Sequence, residues 1–393
     1  MSQSILLKNG MLLLHKPGDV VSPVKADPLI VQDRINKVGE VLDAPYEDTK
    51  VVDCSKKIIS PGFLKGRHSD DPLLDYLPTE NMQGYFYDLE DVYWGQLDVG
   101  ITYVVDHAYM NYPPESGING ISATKSPGIR AFFCYCATSR FMSRSPLKKD
   151  DEIFLLELDW FSMPKQVVVD LFNKARRWGV KNITAHYTKG PYSAKQILES
   201  YGLLGADLLS SHSNAADHDD ALLLKRHNAY ILCTPKIEMQ MAIGEPLAFH
   251  EDFSSICSLG IDCHSNNSSD MMTQMRLALQ SARARFSQPF LDQGIIPRKL
   301  KALVQGVFSL GTIQENEIGS IATGKLADLV IFKTTSPSMV FAAQGNPLTA
   351  IAMYPSVRDF DMVIVNGKIR KENEFWFHVG RMQSATHSQG NRR

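Results

Sequence analysis

Four apolar runs in this 393-residue chain end in side chains that could bind a metal or move a proton. GITYVVDHA reaches Asp106 and His107, VKNITAHYT reaches His186, ADLLSSH reaches His212, and ICSLGIDCHS reaches Asp262 and His264. A histidine at the end of one strand is ordinarily a hydrogen-bonded structural residue. Several such ends converging on one mouth mean more. Imidazole nitrogens with a carboxylate are a ligand set for Zn²⁺, and the aspartate can also act as general base toward a metal-bound water. His107 and Tyr109 follow the second run and are candidates for a pocket wall, with simple packing as the equal alternative.

Convergence requires a fold that brings strand ends together. The middle of the chain alternates apolar runs with helical patterns. In SMPKQVVVDLFNKARRWG, Ser162 can cap, Pro164 suits the first turn and Gly179 stops the helix. Val167, Val168, Leu171, Phe172 and Ala175 fall on one predicted face. Repeated β–α units with near-continuous apolar strands imply a parallel sheet covered by helices. Seven such runs, with an eighth near Phe63, point to an α/β (β/α)8 TIM-like barrel over residues 61–314, whose chemistry sits at the C-terminal strand ends. Both termini read as strands. ILLKNGMLLL and DMVIVNGKIRKENEF each place Asn-Gly between apolar runs, a hairpin signal. Residues 1–60 and 315–393 are therefore expected to build one composite β-sandwich domain.

Bulk properties narrow the partners. Hydrophobic residues make up 44%, charged residues 21%, and the formal net charge is −2, which gives no reason to expect nucleic acid or an anionic membrane. No apolar stretch is long enough for a membrane span or a signal peptide. The six cysteines lie scattered in apolar runs, as expected for reduced, buried thiols and a cytoplasmic location. A small molecule is the expected substrate.

The ordered set IISPGF, ITAH, LLSSH, SLGIDCHSNNSSDMMTQMRLAL, IGSIATGKLADLVIF and VIVNGK resembles the amidohydrolase superfamily, in its cytosine-deaminase-like and chlorohydrolase-like branch. TPKIEMQMAIGEP further resembles a microbial and fungal subgroup. The resemblance implies a metal-dependent hydrolase, with zinc or another divalent metal, that breaks a C–N bond other than a peptide bond. It implies that His186 is a metal ligand, that Asp262 is a ligand or the base, and that His212 binds metal or holds the developing oxyanion. Asp106, His107, Tyr109, Lys189 and His264 would then lie on the substrate side. Relatives are often dimers, so a homodimer is compatible with it.

The chain departs from that pattern. Family members follow PGF with a strand ending in His-x-His. Read without a gap, this sequence places Arg67 and Ser69 at those positions, with His68 one residue away and hence on the opposite face. LKGRH is polar and contains glycine, a poor core strand. The preferred reading is therefore that LKGRHSDDPLLDYLP normally lies beyond a ligand strand that is missing or degenerate here. A second contraction is expected at VYWGQLDVGITYVVDH, and Lys189 stands where related deaminases carry a proton-shuttling Glu. Weak or absent metal and little hydrolase activity follow. The alternatives are a non-catalytic binding descendant and a metal-free lyase or isomerase using His212, Asp262 and Lys189. GSIATGKL lacks the phosphate-loop hydroxyl at Leu326 and precedes a strand, and DHDD (217–220) reads as a helix cap.

Overall fold

The computed structural model describes residues 4–16, 20–68, 93–108, 114–136, 155–157, 164–180, 182–186, 194–241, 243–262, 268–299, 302–311, 317–373, 375–377 and 382–384.

The N-terminal part forms β1 (Ser4–Lys8), β2 (Met11–Lys16), β3 (Val20–Lys25), β4 (Asp27–Val31), β5 (Arg34–Gly39), β6 (Lys50–Asp53) and β7 (Lys57–Pro61). The hairpin expected at Asn9-Gly10 does not form. β1 pairs with β4 and β6, whereas β2 pairs with β3 and β7 in another sheet. Asn9 adopts φ 66°, its amide donates to Asp27 Oδ1 (2.8 Å) and its side chain to Asp53 Oδ1 (3.0 Å). Long-range partners capture the turn residue, and the chain crosses between sheets there.

Eight parallel strands follow in sequential order: β8 (Phe63–His68), β9 (Ile101–Ala108), β10 (Arg130–Cys136), β11 (Leu155–Glu157), β12 (Asn182–His186), β13 (Leu208–Ser211), β14 (Tyr230–Cys233) and β15 (Cys257–Leu259). The edge strands β8 and β15 come within 8 Å, Cα to Cα, without ladder pairing among the described residues. Helices alternate with these strands, as a parallel sheet requires. In the helix Lys165–Arg177, Val168, Phe172 and Ala175 are buried against the sheet, while Val167 is exposed. Gly179 ends it at φ 80°. Asp217 caps His218–Arg226 in a reciprocal capping box with Asp220.

The chain ends with β16 (Leu329–Lys333), β17 (Phe360–Val365), β18 (Lys368–Glu372), β19 (Phe375–Phe377) and β20 (Met382–Ser384). Asn366 and Gly367, both at positive φ, turn β17 into β18 as an antiparallel hairpin. β16 pairs with β7, so strands from both termini share one eight-stranded sheet, ordered β20-β19-β18-β17-β16-β7-β2-β3. It packs on the four-stranded sheet β5-β4-β1-β6 through Ile5, Leu7, Ile30 and Ile35 on one side and Leu12, Ile59, Ile331 and Ile364 on the other. No described helix is long and apolar enough to cross a membrane.

Residues 63–68, whose LKGRH was expected to make a poor core strand, form a strand hydrogen-bonded in parallel to β9. The register slips between Phe63 and Leu64: Phe63 pairs with Ile101, but Leu64 pairs with Tyr103. The residue skipped by this slip, Thr102, belongs to β9, so alternation along β8 itself is unbroken. Beyond the slip Gly66 is in register with Val105, and His68 with His107.

Candidate active site

Register carries one face across the parallel sheet. His68 pairs with His107, and His107 with Cys134. Two residues on, Cys136 pairs with Glu157 and Glu157 with Thr184. Two further on, His186 pairs with Ser211 and Ser211 with Leu232. In-register neighbours and alternate residues share a face, so the positions of His68, His107 and His186 lie on the same side. Arg67, in register with Asp106, takes the opposite face. Leu64, Tyr103, Val105 and Phe132 fill the lower part of that face together with Ile318 and Leu326.

At the C-terminal end three expected residues come together. His186 ends β12, and its ring centroid lies 5.6 Å from that of His212. His212 follows β13, and its amide extends the ladder by donating to Leu232 O (2.8 Å). Its Nε2 is 3.8 Å from Asp262 Oδ2. Gly260 extends the β14–β15 ladder by donating to Cys233 O (2.7 Å), which brings the chain to Asp262. His212, Ser213 and Asp262 all adopt φ between 62° and 68°. Left-handed backbone at two successive non-glycine residues is uncommon, and such outliers cluster at functional sites. The side chains of His212 and Asp262 keep only 14% and 10% of their exposure.

On its other edge His212 Nδ1 lies 2.9 Å from Thr234 Oγ1 and 3.7 Å from Glu238 Oε1. Thr234 follows β14, and Glu238 lies on the helix Pro235–Gln240. Glu238 is fully buried, and its Oε1 accepts from the Thr234 amide (2.7 Å). Both lie within TPKIEMQMAIGEP, but neither was expected at the site. The available signal was a threonine ending an apolar run with a carboxylate four residues later, which also describes an ordinary helix start.

Of the other expected residues, His107 is fully buried on the His186 side of the sheet. Asp106 alternates to the opposite face, where the buried Tyr93 hydroxyl donates to its Oδ2. Tyr109, Lys189 and His264 lie outside the described residues.

The donor types suit zinc, and His186, His212 and Asp262, with Nε2 of His212 3.8 Å from Asp262 Oδ2, are the described residues that would hold it. Among the described residues no three His, Cys, Asp or Glu side chains form a metal-holding group, and no His-x-His occurs in the chain. His212 has a carboxylate near each edge, Asp262 beside Nε2 and Glu238 beside Nδ1 next to Thr234.

Residues 65–370 match the sequence model of the amidohydrolase family. A 5-methylthioadenosine/S-adenosylhomocysteine deaminase of Pyrococcus furiosus is 26% identical over 422 positions, covering 93% of this chain and 94% of that protein. That alignment is longer than the chain, so the relative has residues with no counterpart here. Two solved structures share the fold. An adenosine deaminase from Xanthomonas campestris with bound zinc superposes with a TM-score of 0.73 at 16% identity, covering 94% of this chain and 93% of its own. A triazine hydrolase from Arthobacter aurescens gives 0.73 at 15% identity, over 94% and 95%.

Proposed function

This chain belongs to the amidohydrolase family, and we propose that it binds a small molecule at the C-terminal barrel mouth, with only residual activity in the family's hydrolysis of non-peptide C–N bonds. The supporting observation is the placement of His212, with Nε2 3.8 Å from Asp262 Oδ2 and its ring beside that of His186. Those three residues are the proposed remnant of the metal and acid–base set. His107 is the proposed pocket wall, and Tyr109, Lys189 and His264 belong to the same proposal. Asp106 is assigned there to support of β9 through Tyr93 rather than to the substrate.

A catalytic zinc generally has three protein ligands and an open position. A first strand without His-x-His removes two ligands from the family pattern, so a divalent metal is held weakly and hydrolysis is slow. The reading includes a barrel over residues 61–314, a sandwich from 1–60 with 315–393, a cytoplasmic location and a homodimer. Adenosine-like nucleosides are the first substrate class to test, because the Pyrococcus furiosus relative is a deaminase of 5-methylthioadenosine and S-adenosylhomocysteine.

The test is elemental analysis of purified full-length protein, together with ammonia release from both compounds with and without added zinc. Expected are less than one metal per chain after dialysis against a chelator, measurable ligand binding, and ammonia release about 10²-fold or more below that of a complete family member. One tightly held metal per chain with rapid ammonia release would overturn the reading. So would the absence of any ligand binding.

A further inference from the structure

His212 is contacted on its Nδ1 edge by two groups, Thr234 and Glu238, that lie within TPKIEMQMAIGEP but were given no role from the sequence. Thr234 Oγ1 lies 2.9 Å from Nδ1, and Glu238 Oε1 lies 3.5 Å from that hydroxyl and 3.7 Å from Nδ1 itself. The carboxylate is anchored independently, because its Oε1 accepts the Thr234 amide at 2.7 Å. Its fully buried position leaves Oε2 without a hydrogen-bond partner among the described residues.

A hydroxyl has one hydrogen to give, and a neutral imidazole has one N–H. Two arrangements are open. Thr234 can donate to Nδ1, which puts the imidazole proton on Nε2. Alternatively, Thr234 donates to Glu238 and accepts from Nδ1–H. The first points an Nδ1 lone pair toward Glu238 Oε1 3.7 Å away, and the second an Nε2 lone pair toward Asp262 Oδ2 3.8 Å away. They differ in that the first leaves the fully buried Glu238 oxygen only the backbone amide, whereas the Asp262 side chain keeps 10% of its exposure to water. The second gives the carboxylate, the stronger acceptor, both hydrogens of Thr234, and places a positively polarised N–H toward it. In a site this dry the electrostatic difference is little screened.

We propose that Glu238, acting through Thr234, is a positioning residue that holds His212 as its Nδ1–H tautomer and so presents the Nε2 lone pair toward Asp262 and the barrel mouth. Outer contacts that select a tautomer also fix ring orientation, and they decide which nitrogen is available to a ligand. The proposal rests on the reading of His212 as a site residue, but its test does not depend on turnover.

The experiment is nitrogen NMR of the full chain labelled at histidine with ¹⁵N, with the His212 signals identified by their loss in His212→Gln. Wild-type protein is expected to show His212 protonated at Nδ1. Thr234→Val and Glu238→Leu should each lose that state and move the proton to Nε2. Thr234→Ser and Glu238→Gln, which keep the hydroxyl and the acceptor oxygen, should retain it. The signals of the other histidines report whether each variant is folded, and the two conservative variants keep the comparison informative if an apolar one unfolds. An Nε2–H tautomer in wild type overturns the proposal. Folded Thr234→Val or Glu238→Leu with Nδ1 still protonated overturns it as well, as does Glu238→Gln losing Nδ1–H. Failure of ammonia release would count against the hydrolase reading while leaving this result untouched.

Discussion

His212 Nε2 and Asp262 Oδ2 lie 3.8 Å apart, although one follows β13 and the other lies beyond β15. Both residues hold left-handed backbone, at φ 65° and 68°, so the contact depends on local conformations as well as on the sheet. Aspartate and asparagine tolerate that region better than most side chains, whereas alanine has no local hydrogen bond to offset its cost.

Asp262→Asn is therefore expected to fold with stability within about 1 kcal/mol of wild type, and Asp262→Ala to lose about 1–2 kcal/mol more. Any ammonia release supported by added zinc should fall by about 10²-fold or more in both. Urea denaturation and a coupled ammonia assay check this. Equal stability of the two variants would contradict the backbone argument.

Gly66→His should improve zinc retention, because beside native His68 it creates His-x-His on the face that register assigns to His107 and His186. Arg67→His combined with Ser69→His restores the family pattern in the ungapped alignment, but Arg67 pairs with Asp106 and so lies on the other face. Elemental analysis after chelator dialysis should find metal in the first variant and not in the second. The reverse outcome would place the face assignment in error.

Gly100 closes the turn into β9 at φ 77°, and its carbonyl accepts from Phe63 N at 3.2 Å. A Cβ there would sit 2.8 Å from the Phe360 ring of β17. Gly100→Ala combines left-handed strain with overpacking and should cost about 2 kcal/mol or more. Thermal unfolding would show this, and an unchanged midpoint would refute it.

At the crossing between the two sheets, the hydrogen bond from the Asn9 side chain, with those from the Ser55 hydroxyl and amide, lowers the Asp53 carboxyl from 3.8 to about 2. A carboxyl depressed on folding adds stability above its unfolded value, and that stability disappears as pH falls through the folded value. Wild type should therefore lose stability between pH 3.8 and about 2 more steeply than Asp53→Asn. Parallel acid titrations followed by circular dichroism would test this, and coincident slopes would exclude the contribution.

Several features were legible in the sequence because their causes are local. Strand ends at His186, His212 and Asp262 follow from apolar runs meeting polar residues, and the helix over Lys165–Arg177 from its periodicity. Asn366-Gly367 makes the β17–β18 turn because both residues accept positive φ. The same dipeptide at Asn9-Gly10 makes no hairpin, since Asp27 and Asp53 arrive from elsewhere to claim Asn9. That His68 shares a side with His107 depended on the register that β8 takes against β9. Glu238 became a partner of His212 only because β13 and β14 are neighbours and the chain turns immediately after Thr234. Spacing along one strand specifies alternation, but the hydrogen bonds to the next strand decide which of the two faces meets the histidines of its neighbours.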